Sequence, residues 1–308
     1  MQILDPVLHP TMDAFRTCEF TTLGRDGTPL TWPTAFHRRQ DGTLLVTTSL
    51  AFAQKALNVR RDGRVALLLS DPTGSGLTDP PQILITGTAV CPEEIVTGPA
   101  GEEAYWTMLF ERQPDSRKYV GAPARWLMDW YYMRLLITVI PTQVRTQPPL
   151  SRLPLTEGPS APGSLLGAAL LAAFPTAVLG ARDAAGAPLL MRTRVTPTPE
   201  GYAVDVPSGY PVAPGPASLL VHRHDERLAA MHNALVRGEL HPSGDGWLFV
   251  PTKVVEPAGS GRPRDVIRTL RSARRATRSY LDRRGLPRPQ VQWPEFKSLA
   301  AAASRTTP

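Results

Sequence analysis

Residues 20–49 read FTTLGRDGTPLTWPTAFHRRQDGTLLVTTS. Apolar runs here meet polar, glycine-bearing turns at Leu23-Gly24-Arg25-Asp26-Gly27-Thr28-Pro29-Leu30 and at Asp41-Gly42-Thr43-Leu44-Leu45-Val46, which is hairpin chemistry. The same series returns in the second half. Leu179-Gly180-Ala181-Arg182-Asp183-Ala184-Ala185-Gly186-Ala187-Pro188-Leu189 answers the first turn, and Glu200-Gly201-Tyr202-Ala203-Val204-Asp205-Val206 answers the second. Further on, ILITGTA (83–89) matches NALVRGEL (233–240), each with a glycine late in the run, and LLITVIPTQV (135–144) matches LFVPTKV (248–254). Four matches in one order imply an internal duplication of a small antiparallel β-barrel.

The copies are unequal. Pro29 to Pro141 spans 112 positions, whereas Pro188 to Pro251 spans 63. The first copy has AFAQKALNVRR (51–61), compatible with a helix; its counterpart GYPVAPGP (209–216) is broken by proline and glycine. The first copy also carries a long helical insert over 93–133. TQPPLSRLPLTEGPSAPGS (146–164), with five prolines and no apolar period, reads as the linker. The expected organisation is a first barrel over 1–147, a linker over 148–163, a degenerate second barrel over 164–257, and a basic helix and tail over 258–308. The fold class is mainly β with helices (α+β).

Composition narrows the function classes. The 308 residues include 33 prolines and 24 glycines, which disfavours a helical bundle. No stretch approaches the roughly 18 apolar residues of a membrane span. The opening MQILDPVLHP has neither a basic start nor an apolar signal core, so a cytoplasmic protein is expected. Cys18 and Cys91 are too few for a disulfide framework and read as small buried hydrophobes. The net charge of +7 is local: ten arginines and two aspartates lie between Arg262 and Arg288, and Lys297 and Arg305 stand against Glu295 in the tail, leaving residues 1–261 at −2. Nucleic acid is therefore not the expected partner of the barrels. With four lysines against 30 arginines, arginine abundance itself says little.

The ordered series FTTLGRDGTPLTWPTAFHRRQDGTLLVTTS, a helix with Lys55 and Asn58, GRVALLLSDP and QILITGTAV resembles the pyridoxamine 5'-phosphate oxidase-like family of flavin and deazaflavin split barrels. The resemblance covers Phe20 to Val90 and, through the repeat, the strands of the second half. It implies tandem split β-barrels, the second degenerate, and a groove at a barrel–barrel interface for FMN or, alternatively, coenzyme F-420. It also implies that Trp32, Pro33, Thr34 and Ala35 form the strand lying along the isoalloxazine ring; for Trp32 a barrel-core aromatic is the plain alternative. A phosphate ester needs a cation and hydroxyl donors converging at a strand end and helix start. Thr47, Thr48 and Ser49 end a strand, and Gln54 and Lys55 follow on the helix, though a solvated surface lysine would read the same way. The second copy has Pro207, Ser208 and Gly209 in place of Thr-Thr-Ser and nothing in place of Lys55, so at most one cofactor per chain is expected, in a pseudo-dimer within the chain or in a homodimer.

Weaker constellations complete the reading. His222 and His224 share a strand face with His232 downstream, but no third metal ligand stands at firm spacing, so no metal is expected. A haem-binding barrel would want an exposed histidine, for which His37 or His224 could serve. Gly74-Ser75-Gly76 lacks a phosphate-loop lysine and reads as a strand connection. Trp106, Phe110, Trp126, Trp130 and Tyr131 read as packing in the insert, or as cover on the substrate side of the cofactor. Arg60, Arg61 and Arg64 could meet the acidic tail of F-420. Arg264 to Arg284 forms an amphipathic helix with Ile267, Leu270, Ala273 or Arg274, Thr277 and Leu281 on its apolar stripe. The expected function is a flavin- or deazaflavin-dependent oxidoreductase acting on a small organic substrate. The alternative is a non-catalytic split barrel that binds flavin or haem, or that binds anions through its basic helix.

Overall fold

The computed structural model describes residues 3–121, 124–149, 165–229, 231–255 and 263–306. Two seven-stranded antiparallel sheets carry the fold. The first contains β1 (Cys18–Leu23), β2 (Pro29–Thr34), β3 (Phe36–Arg38), β4 (Leu44–Ser49), β5 (Arg64–Leu69), β6 (Gln82–Val90) and β7 (Arg134–Gln147). The second contains β8 (Ala177–Arg182), β9 (Pro188–Thr193), β10 (Val195–Pro197), β11 (Tyr202–Val204), β12 (Ala213–Arg223), β13 (His232–Ser243) and β14 (Gly246–Val255). The strand orders, β2-β1-β5-β6-β7-β4-β3 and β9-β8-β12-β13-β14-β11-β10, are identical element for element. The chain is a tandem of split barrels, and the duplication read from the sequence is a duplication of topology.

Two local features were repeated with it. Gly27 and Gly186 take φ of +75° and +77° at the last position of the first hairpin turn, a conformation glycine adopts without strain. The hairpins coincide from these glycines, because Gly24 and Asp183 make the same turn bonds, to Thr28 O and Ala187 O. Leu179-Gly180 therefore lies three residues from the true equivalent of Leu23-Gly24. The late glycines sit at bulges: the register of β6 on β7 shifts between Thr86 and Gly87, and that of β13 on β14 between Arg237 and Gly238. Each glycine faces a proline, Pro141 or Pro251, and a Cβ there would run into the carbonyl oxygen of Ile140 or Val250. Gly238→Ala is expected to destabilise the chain by about 1–3 kcal/mol, the usual cost of overpacking. A lowered urea midpoint measures it; an unchanged midpoint would show that the bulge yields freely.

The helices are α1 (His9–Ala14), α2 (Gln54–Arg61), α3 (Glu103–Arg112), α4 (Ala124–Leu127), α5 (Asp129–Tyr132), α6 (Ala168–Ala172), α7 (Pro263–Asp282) and α8 (Trp293–Thr306). The first copy keeps α2 and the helical insert, while 209–216 passes from a turn into β12. The two sheets pack face to face in a reciprocal pattern: β2 meets β8, β12 and β13, and its equivalent β9 meets β1, β5 and β6. Ala66, Leu68 and Leu84 there bury against Val178, Leu190, Leu220 and Leu235. Residues 150–163 of the expected linker lie outside the described residues.

Both cysteines are free and buried. Helix α7 forms where the amphipathic pattern placed it and buries Ala273, Thr277, Tyr280 and Leu281. Ile267, expected on the apolar stripe, is exposed, because the helix docks through its later turns on α5 and the 3-10 turn Leu50–Phe52. No described helix is long and apolar enough to cross a membrane.

Candidate functional site

Strand β4 is buried along its whole length and ends against the start of β7, Ser49 opposite Arg134. That pairing brings an arginine beside the Thr-Thr-Ser run. Arg134 is buried, its guanidinium lying 4.2 Å from the Tyr131 ring centroid and 5.4 Å from that of Trp106. Its Nη1 donates to Thr47 Oγ1 at 3.4 Å, and Thr47 Oγ1 also shares a hydrogen bond with the Tyr105 hydroxyl at 2.8 Å. The buried Nε of Arg134 has no partner among the described residues.

Lys55, in the first turn of α2, is also buried, with Nζ 5.6 Å from the Trp32 ring centroid. Burial and then the charge of Arg134 lower its pKa to about 8. Among the described residues neither cation forms an ion pair. Two neighbouring buried cations without a carboxylate are costly in an apolar setting, and a bound anion offsets that cost. The arrangement is a cationic cradle beside a helix start, chemically suited to hold an anion.

The other sequence-derived candidates fall into two groups. Trp32, Pro33, Thr34 and Ala35 are half-buried; the first three lie on β2, an edge strand whose outer backbone groups have no strand partner. Trp32 pairs with Phe20 and Thr34 with Cys18, which sets both on the barrel-core face. Ser49 is buried at the strand end. Thr48 instead donates to Phe52 O at 2.8 Å and closes the turn into α2. Gln54 is exposed and turned along its own helix to Asn58 Oδ1, 2.7 Å away. Neither reaches the cradle in this arrangement.

Strand pairing also corrects the comparison with the second copy. With Pro141 matched to Pro251, the equivalents of Thr47, Thr48 and Ser49 are Asp205, Val206 and Pro207, and the equivalent of Arg134 is Gly244. The second copy thus lacks both cations and carries a carboxylate where Thr47 stands.

Other candidates are accounted for structurally. Arg60 bonds to Cys91 O, Pro92 O and the Tyr280 hydroxyl; Arg61 bonds to Leu23 O; Arg64 pairs with Asp62. Trp106, Phe110 and Trp130 are buried packing, whereas Trp126 is exposed beneath Arg274 of α7. His224, a haem candidate on the premise of exposure, is buried and lies 3.2 Å from Thr17 Oγ1.

The histidine pair belongs to a polar junction between the barrels that the sequence did not reveal. Glu19 Oε1 lies 2.8 Å from His222 Nε2, 2.9 Å from Arg192 Nη2 and 2.8 Å from Ser70 Oγ, all within a buried setting. Burial alone would raise the Glu19 pKa, but the hydrogen bond from His222, the charge of Arg192 and the Ser70 hydroxyl together hold it below its ordinary value. His222 and His224 stack on one face and approach Asp71 at 3.8 and 3.6 Å, while His232 stacks on Phe174 instead. Among the described residues no cluster of three or more ligands could hold a metal.

No family model and no curated protein matches the chain. Solved structures do. An F420 reductase is similar at 25% identity over 42% of this chain and 90% of its own, with a TM-score of 0.29. An FAD-binding protein from Mesorhizobium loti shows 15% identity over 46% of this chain and 90% of its own, at 0.31. A protein of unknown function from Agrobacterium tumefaciens, at 15% identity and 0.32, covers 88% of this chain and 99% of its own. The architecture itself rests on the strand order given above.

Proposed function

We propose that the first barrel holds a phosphate-bearing flavin or deazaflavin cofactor and that the protein is an oxidoreductase acting on a small organic substrate. One observation carries this reading: Lys55 and Arg134 are buried together beside Thr47, without a described carboxylate, next to an edge strand able to offer backbone groups to a planar ring. Lys55 and Arg134 would bind the phosphate, with Thr47 fixing the guanidinium and the residues 32–35 strand orienting the ring. The bound cofactor would supply the hydride chemistry, and the protein its orientation and shelter from water. The second barrel, packed reciprocally on the first and lacking both cations, takes the place of a second subunit and leaves one cofactor site per chain.

A titration with FMN, followed by quenching of flavin fluorescence, tests both statements. Lys55→Met is expected to weaken FMN by about 1.5–3 kcal/mol, the worth of a charged hydrogen bond, and to leave riboflavin, which has no phosphate, unaffected. The stoichiometry is expected to be one per chain. Equal FMN affinity in variant and parent would remove the phosphate from this cradle, and two cofactors per chain would remove the pseudo-dimer.

A further inference from the structure

Beside the cradle, a cavity of about 230 Å³ is lined by Met12 and Asp13 of α1, Phe36, His37 and Arg38 of β3, and Met108 and Arg112 of α3. Its walls divide by chemistry. Its apolar wall is Met108 of α3, a flexible thioether that adapts to a guest, over Met12 and Phe36, which are closed into the barrel core. Two guanidinium groups and an imidazole also line it. Arg38 is neutralised by Asp13, its Nε and Nη2 lying 3.1 and 2.5 Å from the two carboxylate oxygens. Arg112 is not: it donates to the backbone carbonyls of Asp13 and Arg16 and has no ion-pair partner among the described residues. Those two bonds leave most of its five N–H donors free.

His37 is half-buried, and neither ring nitrogen has a hydrogen-bond partner among the described residues. Burial holds its pKa below the ordinary value, so at neutral pH it offers one donor and one acceptor. The position relative to the cradle is fixed by register. His37 lies opposite Leu45 on β4, and Thr47 is two residues further along the same strand face, roughly 7 Å away. Helix α3 spans both, with Tyr105 on Thr47 and Met108 and Arg112 on the cavity.

We propose that this cavity binds a small organic carboxylate, the anion held by Arg112 and His37 and the apolar body by Met108, and that it is the substrate pocket of the site. Its volume is below the roughly 300–1,000 Å³ of drug-sized pockets, which restricts the guest to a single ring or a short chain. The assignment as substrate pocket rests on the cofactor reading above; the ligand class rests on the cavity's own residues.

Isothermal titration of the full chain with benzoate, without added cofactor, tests it. Saturable single-site binding is expected, with neutral benzamide weaker by at least about tenfold, that is about 1.4 kcal/mol. Met108→Trp, which fills the cavity from a helix position outside the cradle, is expected to abolish benzoate binding and to leave FMN affinity unchanged. No saturable binding of benzoate, or equal binding by Met108→Trp, overturns the proposal. The two readings fail separately: FMN binding without benzoate binding sinks the pocket alone, while benzoate binding blocked by Met108→Trp in a chain that ignores FMN upholds the ligand class and sinks the redox role.

Discussion

Replacing Glu19 by alanine is expected to cost about 3–5 kcal/mol of stability, because it leaves buried charge at the barrel junction without its partner. The carboxylate comes from β1 of the first barrel, Arg192 and His222 from β9 and β12 of the second, and all three meet at one oxygen. The loss is therefore concentrated in the packing of one barrel on the other. Glu19→Gln, which keeps an acceptor oxygen, is expected to cost less. The pH dependence follows from the lowered pKa of Glu19. As pH falls, the unfolded chain takes up the proton first, near its ordinary value of about 4.3, so the stabilisation is complete above that pH and is lost as pH drops through the lower native value. Urea unfolding at pH 7 and again below pH 4 should show a wide gap between parent and Glu19→Ala that narrows in acid. A gap under about 1 kcal/mol at pH 7, the worth of an exposed pair, would mean that the junction is not electrostatically closed.

Much of this architecture was legible because the repeat lies in residues with strong backbone requirements. Gly27 and Gly186 end the same turn, and Gly87 and Gly238 face Pro141 and Pro251 at the same bulge, so the strand series survives although few other side chains match. The turn was matched three residues off because Leu-Gly occurs in both copies by coincidence, at Leu23 and Leu179, and only strand pairing shows which glycine does the work. The cradle was half legible. Lys55 and the Thr-Thr-Ser run are close in sequence, but Arg134 is 85 positions from Ser49 and becomes its neighbour only through the pairing of β4 with β7. No local pattern marks such a residue. Helix α8 was missed for another reason: Phe296, Ala300 and Ala303 keep helical spacing, but alanine gives a weak apolar signal. Pro294, in the first turn of that helix, was the available start signal.

Trp106→Ala is the second large effect, expected at about 3–5 kcal/mol for a truncated buried aromatic. Trp106 is 1% exposed and is the hub through which the insert, the C-terminal helix and the cationic cradle touch. Its ring stacks on Tyr132 at 5.5 Å and meets Phe296 of α8 edge-on at 4.6 Å, while the Arg134 guanidinium lies over it. Removing the ring takes from Phe296 of α8 one of its two aromatic partners, the other being Tyr132, and from Arg134 one of the two rings that fix its position. Three readouts should therefore move together. The urea midpoint falls; limited trypsin digestion cuts sooner after Lys297, an exposed residue held in α8; and FMN binds more weakly. Trp106→Phe, which keeps a ring against Tyr132 and Phe296, should restore most of the protection at Lys297. If Trp106→Ala lost stability while both digestion and FMN affinity stayed at parental values, the aromatic cluster would be core packing alone, and the coupling of α8 to the cradle through this side chain would be wrong.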